Sequence, residues 1–270
     1  MFRLGFLGGG QMAEMMIGGL KDHAADFHLE YLLYDPVCSR RQYMLSEYGV
    51  NTAANNAEVL EKSSVVFVAV KPQIFPEIED EIAANYREGQ IILSIMAGID
   101  IATVGKKLPE DAKIVRLMPN TAMGVGAGVC LFTANDYVTE TEKSWLVDML
   151  SSIAIVEEIP EKMMNGAMAI SGSGPAYFYT MIDAMTLGGI EVGIPKKLAL
   201  SLATQTMLGA AEMLKTTGES PADLRDSVLS PAGTTIEGVR ALESGGFRND
   251  VIEAVHAAWR RAEEIGGKKE

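Results

Sequence analysis

The stretch that decides the fold is MFRLGFLGGGQMA at positions 1–13. Its apolar run from Leu4 to Leu7 predicts a short buried strand, which Gly8 ends. The apolar spacing that follows is typical of a helix, with Met12, Met15, Met16 and Leu20 on one face. A glycine-rich turn therefore joins a strand to a helix at the start of the chain.

The turn has the pattern Gly8-x-Gly10-x-x-Ala13, which in this context is typical of dinucleotide binding. Gly8 would permit a tight turn, Gly10 would let the backbone approach a pyrophosphate, and Ala13 would let the helix pack on the strand. The helix start, with Gln11 and Met12, would offer N–H groups and a positive dipole end to phosphates. The alternative is a plain glycine-rich turn.

Composition narrows the class of protein. The 270 residues are 48% hydrophobic and carry a formal net charge of −13, which argues against a nucleic-acid partner. Two isolated cysteines and three scattered histidines form neither a disulfide framework nor a zinc site. We expect no charged leader before the first strand, and no apolar run in the sequence reaches membrane-spanning length. We expect a cytoplasmic protein with no metal and no membrane partner.

The first half of the chain alternates strand and helix patterns. Apolar runs at 29–34, 65–70, 91–96 and 113–118 predict strands, and the segments 11–21, 39–48, 74–86 and 101–107 predict helices. Two further strands are expected at 124–132 and 153–157, around a helix at 140–151. This alternation predicts an α/β fold, a Rossmann-type doubly wound parallel sheet forming a dinucleotide-binding domain over residues 1–159.

The end of the second strand gives conflicting signals about the cofactor. Asp35 lies where an acidic residue commonly binds the ribose hydroxyls of NAD. Arg40 follows within a few residues, and an arginine there can hold the 2′-phosphate of NADP. We therefore expect NADP, with NAD still open.

Three further loops follow strands at the same edge of the expected sheet, where ligands of α/β folds bind. Val70-Lys71-Pro72 ends the third strand, and Lys71 would line the nicotinamide pocket unless it is a plain surface lysine. Ala97-Gly98 and Asn120 follow the next two strands.

Residues 160–270 differ in composition and pattern from the first half, because they are rich in alanine, methionine and leucine at helical spacing. The segment 196–215 is apolar around well over half of its circumference, which is typical of a buried or interface helix. We expect it to pair with a second subunit in a two-fold dimer, the alternative being burial within one chain.

The strongest candidate for a substrate-binding segment in this half is LSPAGTTI at 229–236. The turn precedes a helix, so its backbone N–H groups could bind a substrate carboxylate. The hydroxyls of Ser230, Thr234 and Thr235 lie beside them, and one could hydrogen-bond the reacting group. The alternative is an ordinary Ser/Thr helix cap.

Five motifs together resemble those of the pyrroline-5-carboxylate reductases. They are GFLGGGQMA at 5–13, AVKP at 69–72, RLMPNT at 116–121, SGSGPAYFY at 171–179 and LSPAGTTIEGVRALESGGFR at 229–248. The resemblance covers nearly the whole chain. It implies an NAD(P)H-dependent oxidoreductase that reduces the C=N bond of 1-pyrroline-5-carboxylate to give L-proline, the last step of proline biosynthesis.

The resemblance also implies roles for individual residues. The positions that match the family's cofactor contacts are Gly8, Gly10, Ala13, Asn56, Lys71, Pro72, Ala97 and Gly98. The expected cofactor residues also include Gln11, Met12, Asp35, Arg40, Val70 and Asn120. The substrate loop corresponds to Ser230, Gly233, Thr234 and Thr235, with the hydroxyl of Thr235 placed at the imine nitrogen as the catalytic group. The helical domain, 160–270, would form an intertwined homodimer, which in this family often assembles as a decamer of five dimers.

Three residues depart from the family pattern, the first being Ala122, which replaces the proline that commonly follows MPNT. Ala232 replaces a usual glycine, so we expect the loop to avoid a positive φ there. Asp35 is acidic where relatives often carry serine, asparagine or threonine, which weakens the assignment to NADP.

Three other functions fit the sequence less well. A β-hydroxyacid dehydrogenase would need a lysine and an asparagine four residues apart, whereas Lys162 and Asn165 are three apart. A non-catalytic NADP-binding regulator would not need the intact loop at 230–235. A related imine reductase acting on a different ring remains open.

Overall fold

A computed structural model describes residues 3–267. By contacts these residues divide into two compact units, one of residues up to 173 and from 257 onward, the other of residues 174–256. The division falls after Ser173, later than the boundary expected at 159/160, because the helix at Met164–Ser171 packs on the sheet. The roles assigned to the two halves stay predictions.

Within the described residues, the first unit is built on one sheet of eight strands. The strands are Arg3–Leu7 (β1), Glu30–Tyr34 (β2), Asn51–Thr52 (β3), Val65–Val68 (β4), Ile91–Ser94 (β5), Lys113–Pro119 (β6), Gly128–Ala134 (β7) and Ala154–Glu158 (β8). Their order is β3-β2-β1-β4-β5-β6-β7-β8. β2 and β3 are added on one side of β1, whereas β4 and the later strands are added on the other side. The end of β1 therefore lies at a topological switch point.

The helices expected at 11–21, 39–48, 74–86, 101–107 and 140–151 are all present with bounds within two residues of those predicted, whereas the helix at Asn56–Lys62 was not predicted. The connecting helices are Gln11–His23 (α1), Cys38–Tyr48 (α2), Asn56–Lys62 (α3), Phe75–Asn85 (α4), Ile101–Gly105 (α5), Glu140–Ser151 (α6) and Met164–Ser171 (α7). Short 3-10 helices occupy Ala25–Phe27, Pro72–Ile74, Thr121–Val125 and Glu161–Met163. The predicted α/β fold class is confirmed.

One pairing departs from a purely parallel sheet. β7 runs antiparallel to β6, and its strand begins at Gly128 rather than at residue 124. The connection of residues 120–127 is shorter than the dozen or so residues that a parallel crossover needs. Thr121–Val125 forms a 3-10 helix that turns the chain back, and Gly126 follows with φ +70°.

Apolar side chains fill both faces of the sheet. Phe6 of β1 and its partner Phe67 of β4 stack with ring centroids 4.6 Å apart, and both are fully buried. On the same side, α1 packs so closely on the segment Thr121–Val125 that an added Cβ on Gly19 would lie 2.3 Å from the Met123 carbonyl oxygen. Glycine at this point of α1 is therefore a packing requirement.

The regular secondary structure in the described residues of the second unit is entirely helical. Its helices are Gly174–Glu191 (α8), Lys196–Thr217 (α9), Pro221–Ser227 (α10), Thr234–Ser244 (α11) and the first part of Phe247–Ile265 (α12), which ends in the first unit. α8 already begins at Gly174, because proline is tolerated in the first turn of a helix. An added Cβ on Gly189 would lie 2.9 Å from the Cβ of Ala199, so α8 and α9 pack through small residues.

The large apolar side chains of α8 and α9 point away from this contact. Those that are substantially exposed include Phe178, Tyr179, Met185, Leu187, Ile190, Leu198, Leu200, Leu202, Leu208, Met213 and Leu214. Burial within one chain, the alternative for α9, is wrong for this set. Separately, in residues 3–267 none of the helices is long and apolar enough to cross a membrane.

The close packing of α1 gives a stability prediction. Gly19→Ala should lower the free energy of unfolding by roughly 1–3 kcal/mol, since the new methyl group meets a backbone carbonyl that cannot move aside. Gly166→Ala in α7 is the matched control, because an added Cβ there meets no described atom within 4 Å. It should be neutral or stabilise by about 0.5–1 kcal/mol. Urea unfolding midpoints measure both, and an equal effect of the two variants would contradict the packing.

Candidate cofactor and substrate sites

The glycine turn adopts the conformation that its sequence requires. Gly8 has φ +98°, and an added Cβ would lie 2.8 Å from the carbonyl oxygen of Ala69 and 3.2 Å from Cγ1 of Val70. The Gly8 N–H donates to the carbonyl of Tyr34 (2.8 Å). A side chain at Gly8 would break this junction between β1, β2 and the loop after β4.

Gly10 serves a different purpose. It is the N-cap of α1 in an extended conformation (φ −64°, ψ 178°), which any residue can adopt. An added Cβ there would meet no described atom within 4 Å, so packing within the protein does not demand glycine. No described side chain caps the helix start, so its N–H groups face open space. This is the arrangement that a pyrophosphate needs.

An open pocket of about 480 Å³ lies beside this turn. Its lining includes Gly10, Gln11, Glu14, Asp35, Arg40 and Tyr43. The sequence singled out four of these six, but not Glu14 or Tyr43. The fit to the adenosine end of a dinucleotide is good, because an open helix start, an acidic residue and an arginine meet in one concavity.

Asp35 braces the turn from the end of β2. One carboxylate oxygen accepts the N–H of Gly9 (2.9 Å), and the other accepts the N–H of Val37 (2.9 Å). Arg40 donates to the carbonyl of Gly9 and forms an ion pair with Glu14. The two residues whose signals conflicted in the sequence therefore both hold the glycine turn.

Other predicted cofactor residues lie in the loops after neighbouring strands but do not line this pocket. Asn56 begins α3 and donates to Glu81 (2.8 Å). The exposed Lys71 begins the Pro72–Ile74 turn, and its ammonium has no hydrogen bond or ion pair within residues 3–267. It is free to contact a ligand at the carboxyl end of β4.

The loops after β5 and β6 are fixed by packing and hydrogen bonds to other parts of the first unit. Gly98 has φ +77°, and an added Cβ would lie 2.8 Å from the Ala262 carbonyl oxygen, so α12 packs directly on the Ala97-Gly98 loop. The buried Asn120 donates to the carbonyl of Ser171 (3.0 Å) and accepts the N–H of Val129 (3.2 Å). Its role at the cofactor stays a prediction.

The segment 229–236 forms a turn before α11. The N–H of Gly233 donates to the carbonyl of Ser230 (3.0 Å), with Pro231 and Ala232 at the corner. Ala232 has φ +56°, so the expectation that it avoids a positive φ is wrong. Proline followed by a residue with positive φ is the pattern of a type II turn, and closing the turn requires that conformation even without glycine.

The start of α11 is open like that of α1. Gly233 is its N-cap, in an extended conformation (φ −82°, ψ 171°), and no described side chain caps it. The hydroxyls of Ser230, Thr234 and Thr235 have no hydrogen-bond partner within the described chain. The alternative, an ordinary Ser/Thr cap, is thus not made, and the N–H groups of Thr234 and Thr235 and the hydroxyls remain available to an anionic ligand.

Comparisons with known proteins agree along the whole chain. Residues 161–265 match the family model for pyrroline-5-carboxylate reductase dimerisation, and residues 3–98 match that for coenzyme F420-dependent NADP oxidoreductases. A pyrroline-5-carboxylate reductase of Synechocystis is 40% identical over 98% of this chain and 99% of its own length. That of Escherichia coli is 34% identical, covering 97% of this chain and 98% of its own.

Solved structures give the same result. The pyrroline carboxylate reductase of Plasmodium falciparum, determined with NADP bound, superposes with a TM-score of 0.90 at 31% identity, covering 98% of each chain. The enzyme of Streptococcus pyogenes superposes with a TM-score of 0.88 at 29% identity, covering 97% of this chain and 98% of its own. The resemblance found in the sequence motifs is therefore confirmed, and this chain belongs to the pyrroline-5-carboxylate reductase family.

Proposed function

We propose that this protein reduces 1-pyrroline-5-carboxylate to L-proline, the last step of proline biosynthesis, with NADPH as the expected cofactor and NADH as the alternative. The geometric observation that carries the proposal is the pair of open helix starts at Gly10 and Gly233, each suited to an anion. The first would hold the pyrophosphate of a dinucleotide, and the second the carboxylate of the substrate. Family membership over the whole chain supports this substrate.

The first unit would hold the cofactor through its loops at the carboxyl edge of the sheet. Gly8 shapes the turn and Gly10 to Ala13 receive the pyrophosphate. Asp35 and Arg40 flank the adenosine ribose. Val70, Lys71 and Pro72, with Ala97-Gly98, follow the strands that continue toward the nicotinamide end. Asn56 and Asn120 are further predicted contacts, the latter now expected to act by shaping its loop.

The substrate loop would orient the imine. Backbone N–H groups at Thr234 and Thr235 bind the carboxylate, aided by the hydroxyl of Ser230, while Gly233 closes the turn that presents them. The hydroxyl of Thr235 hydrogen-bonds the ring nitrogen, accepting its N–H when the C=N bond is protonated. Bound NAD(P)H supplies the hydride. Because a protonated C=N bond is already electrophilic, the protein contributes mainly orientation and exclusion of water, without a strong acid or base.

The direct test is oxidation of NADPH and of NADH, in parallel, with chemically prepared pyrroline-5-carboxylate. The proposal predicts turnover that depends on the imine, with L-proline as product. A folded protein that binds nucleotide but turns over neither cofactor with this substrate would contradict it. The ratio of the two rates would determine which cofactor is preferred.

The role of Thr235 gives a specific prediction. Thr235→Ala should lower kcat about 10- to 100-fold, the cost of losing one hydrogen bond to a charged group, while the affinity for NADPH changes little. Thr235→Ser keeps the hydroxyl and should recover most of the activity. Steady-state kinetics and nucleotide titration measure the two effects. An equal loss of turnover and cofactor affinity would contradict the assignment.

The exposed apolar faces of α8 and α9 support a homodimer, with a decamer of five dimers as its larger form. We expect a mass in solution at least twice the 29.0 kDa of one chain, measured by light scattering after size exclusion. Leu208→Glu puts a charge on an apolar side chain of α9 that is 54% exposed and should shift the protein toward monomer. Val125→Glu, at an exposed apolar residue of the first unit, is the control and should not. A monomeric parent protein would contradict the dimer.

The expected cytoplasmic location stays a prediction, which cell fractionation would check.

A further inference from the structure

Glu14 is a charged residue in the cofactor pocket to which no role has been assigned. It lies in the first turn of α1, where its N–H donates to the carbonyl of Gly10 (3.0 Å). Its carboxylate lines the pocket with Asp35 and Arg40. A second negative charge beside a site for phosphates repels them. Its presence in the pocket therefore calls for an explanation.

Three donors converge on this carboxylate. One oxygen accepts hydrogen bonds from the hydroxyls of Tyr43 (2.9 Å) and Tyr48 (3.1 Å), and the other accepts the guanidinium of Arg40. Burial raises the pKa of Glu14, but the hydrogen bonds from Arg40 and the two tyrosines outweigh it and hold the pKa below its usual value. Glu14 is therefore ionised at neutral pH.

The helix surface is shaped for this contact. Gly18 lies one turn after Glu14 on the same face of α1, and an added Cβ would be 3.0 Å from Cε1 of Tyr48. Lys21, the next residue on that face, donates to the carbonyl of Tyr48. The tyrosine ring thus rests on α1 with its hydroxyl directed at Glu14.

The contact also fixes Arg40. Its Nε donates to the carbonyl of Gly9, a terminal nitrogen reaches the carbonyl of Gly10 (3.4 Å), and its Cζ lies 5.0 Å from the centroid of the Tyr43 ring. The guanidinium therefore lies along the outside of the glycine turn. To bind a phosphate through two parallel hydrogen bonds it would have to exchange some of these partners.

The remaining charges near the pocket do not replace Arg40. Asp35 adds a negative charge, and the guanidinium of Arg41 donates to the backbone carbonyl of Asp35 and lies 5.5 Å from the Tyr34 ring centroid. A 2′-phosphate would enter a pocket in which two carboxylates face one arginine that is already paired. A 2′-hydroxyl would meet no such cost.

We propose that Glu14 is a specificity-determining residue: by holding Arg40 against the glycine turn, it lowers the selectivity of this pocket for a 2′-phosphate over a 2′-hydroxyl. The inference rests on the proposed function, because it requires that the pocket takes the adenosine end of NAD(P)H. It concerns this chain's choice between the two cofactors.

The test is binding of two cofactor fragments that differ only in the 2′-phosphate, 2′,5′-ADP and 5′-AMP, by titration calorimetry on the full chain at one fixed salt concentration. Glu14→Gln keeps the size of the side chain and an acceptor for the tyrosines, but removes the charge. We expect the Kd of 2′,5′-ADP to fall about tenfold, with the Kd of 5′-AMP changed less than twofold. Equal changes for both fragments, or no change for either, would overturn the proposal.

Two controls isolate the mechanism. Glu61→Gln removes an exposed carboxylate of α3 in the same unit and should change neither Kd. In an Arg40→Gln background, Glu14→Gln should no longer improve binding of 2′,5′-ADP, because the gain acts through Arg40. A gain that persists in that background would overturn the proposal.

Activity separates this inference from the function on which it rests. We expect the ratio of kcat/KM for NADPH to that for NADH to rise about tenfold in Glu14→Gln. If the parent protein binds neither fragment and oxidises neither cofactor, both the proposed function and this inference fail. Suppose instead that the parent protein turns over pyrroline-5-carboxylate while Glu14→Gln changes neither the ratio of the two Kd values nor the ratio of the two kcat/KM values. In that case the inference alone fails.

Discussion

The structure depends on one backbone constraint, the turn that joins β1 to α1. Gly8 takes a positive φ within contact distance of the Ala69 carbonyl, and Asp35 fixes the next N–H group from the end of β2. These contacts tie three adjacent strands together at the point where the sheet changes direction. They also set the start of α1 with its N–H groups directed to open space. Fold and cofactor site therefore follow from the same few atoms.

The second unit repeats the same device with different chemistry. α11, like α1, begins at a glycine and lacks a side-chain cap within the described chain. Some other helices are capped by side chains, α3 by Asn55 and α6 by Thr139, whereas in residues 3–267 α2, α4, α7 and α9 lack such a cap as α1 and α11 do. Side-chain caps stabilise a helix, but they also occupy the N–H groups that an anion would use. The glycine N-caps of α1 and α11 leave those N–H groups available to the two anions of the proposed function.

Features encoded by local sequence could be predicted. Seven of the eight strands, most helices and the conformation of Gly8 follow from periodicity and from the conformational freedom of glycine, whereas the two-residue β3 was not predicted. The partners of the Glu14 carboxylate, and the Ser171 carbonyl to which Asn120 donates, could not be predicted, because they come from residues 26–51 positions away. The positive φ of Ala232 was missed for a related reason: the closing of its turn requires it, although alanine disfavours it. The antiparallel direction of β7 follows from the short connection between β6 and β7. Part of that connection was predicted to belong to the strand itself, so its shortness was not recognised.

The proposed cofactor site depends above all on binding of the pyrophosphate at the open start of α1. Gly10→Ser tests it most directly, because serine fits the extended backbone there, meets no described atom and can cap the helix itself. The measurement is the Kd of NADPH together with the urea unfolding midpoint. We expect the midpoint to stay the same or rise while the Kd rises at least about tenfold, since the hydroxyl would occupy the N–H groups that a pyrophosphate needs. A folded variant that binds NADPH as tightly as the parent protein would contradict this mode of binding.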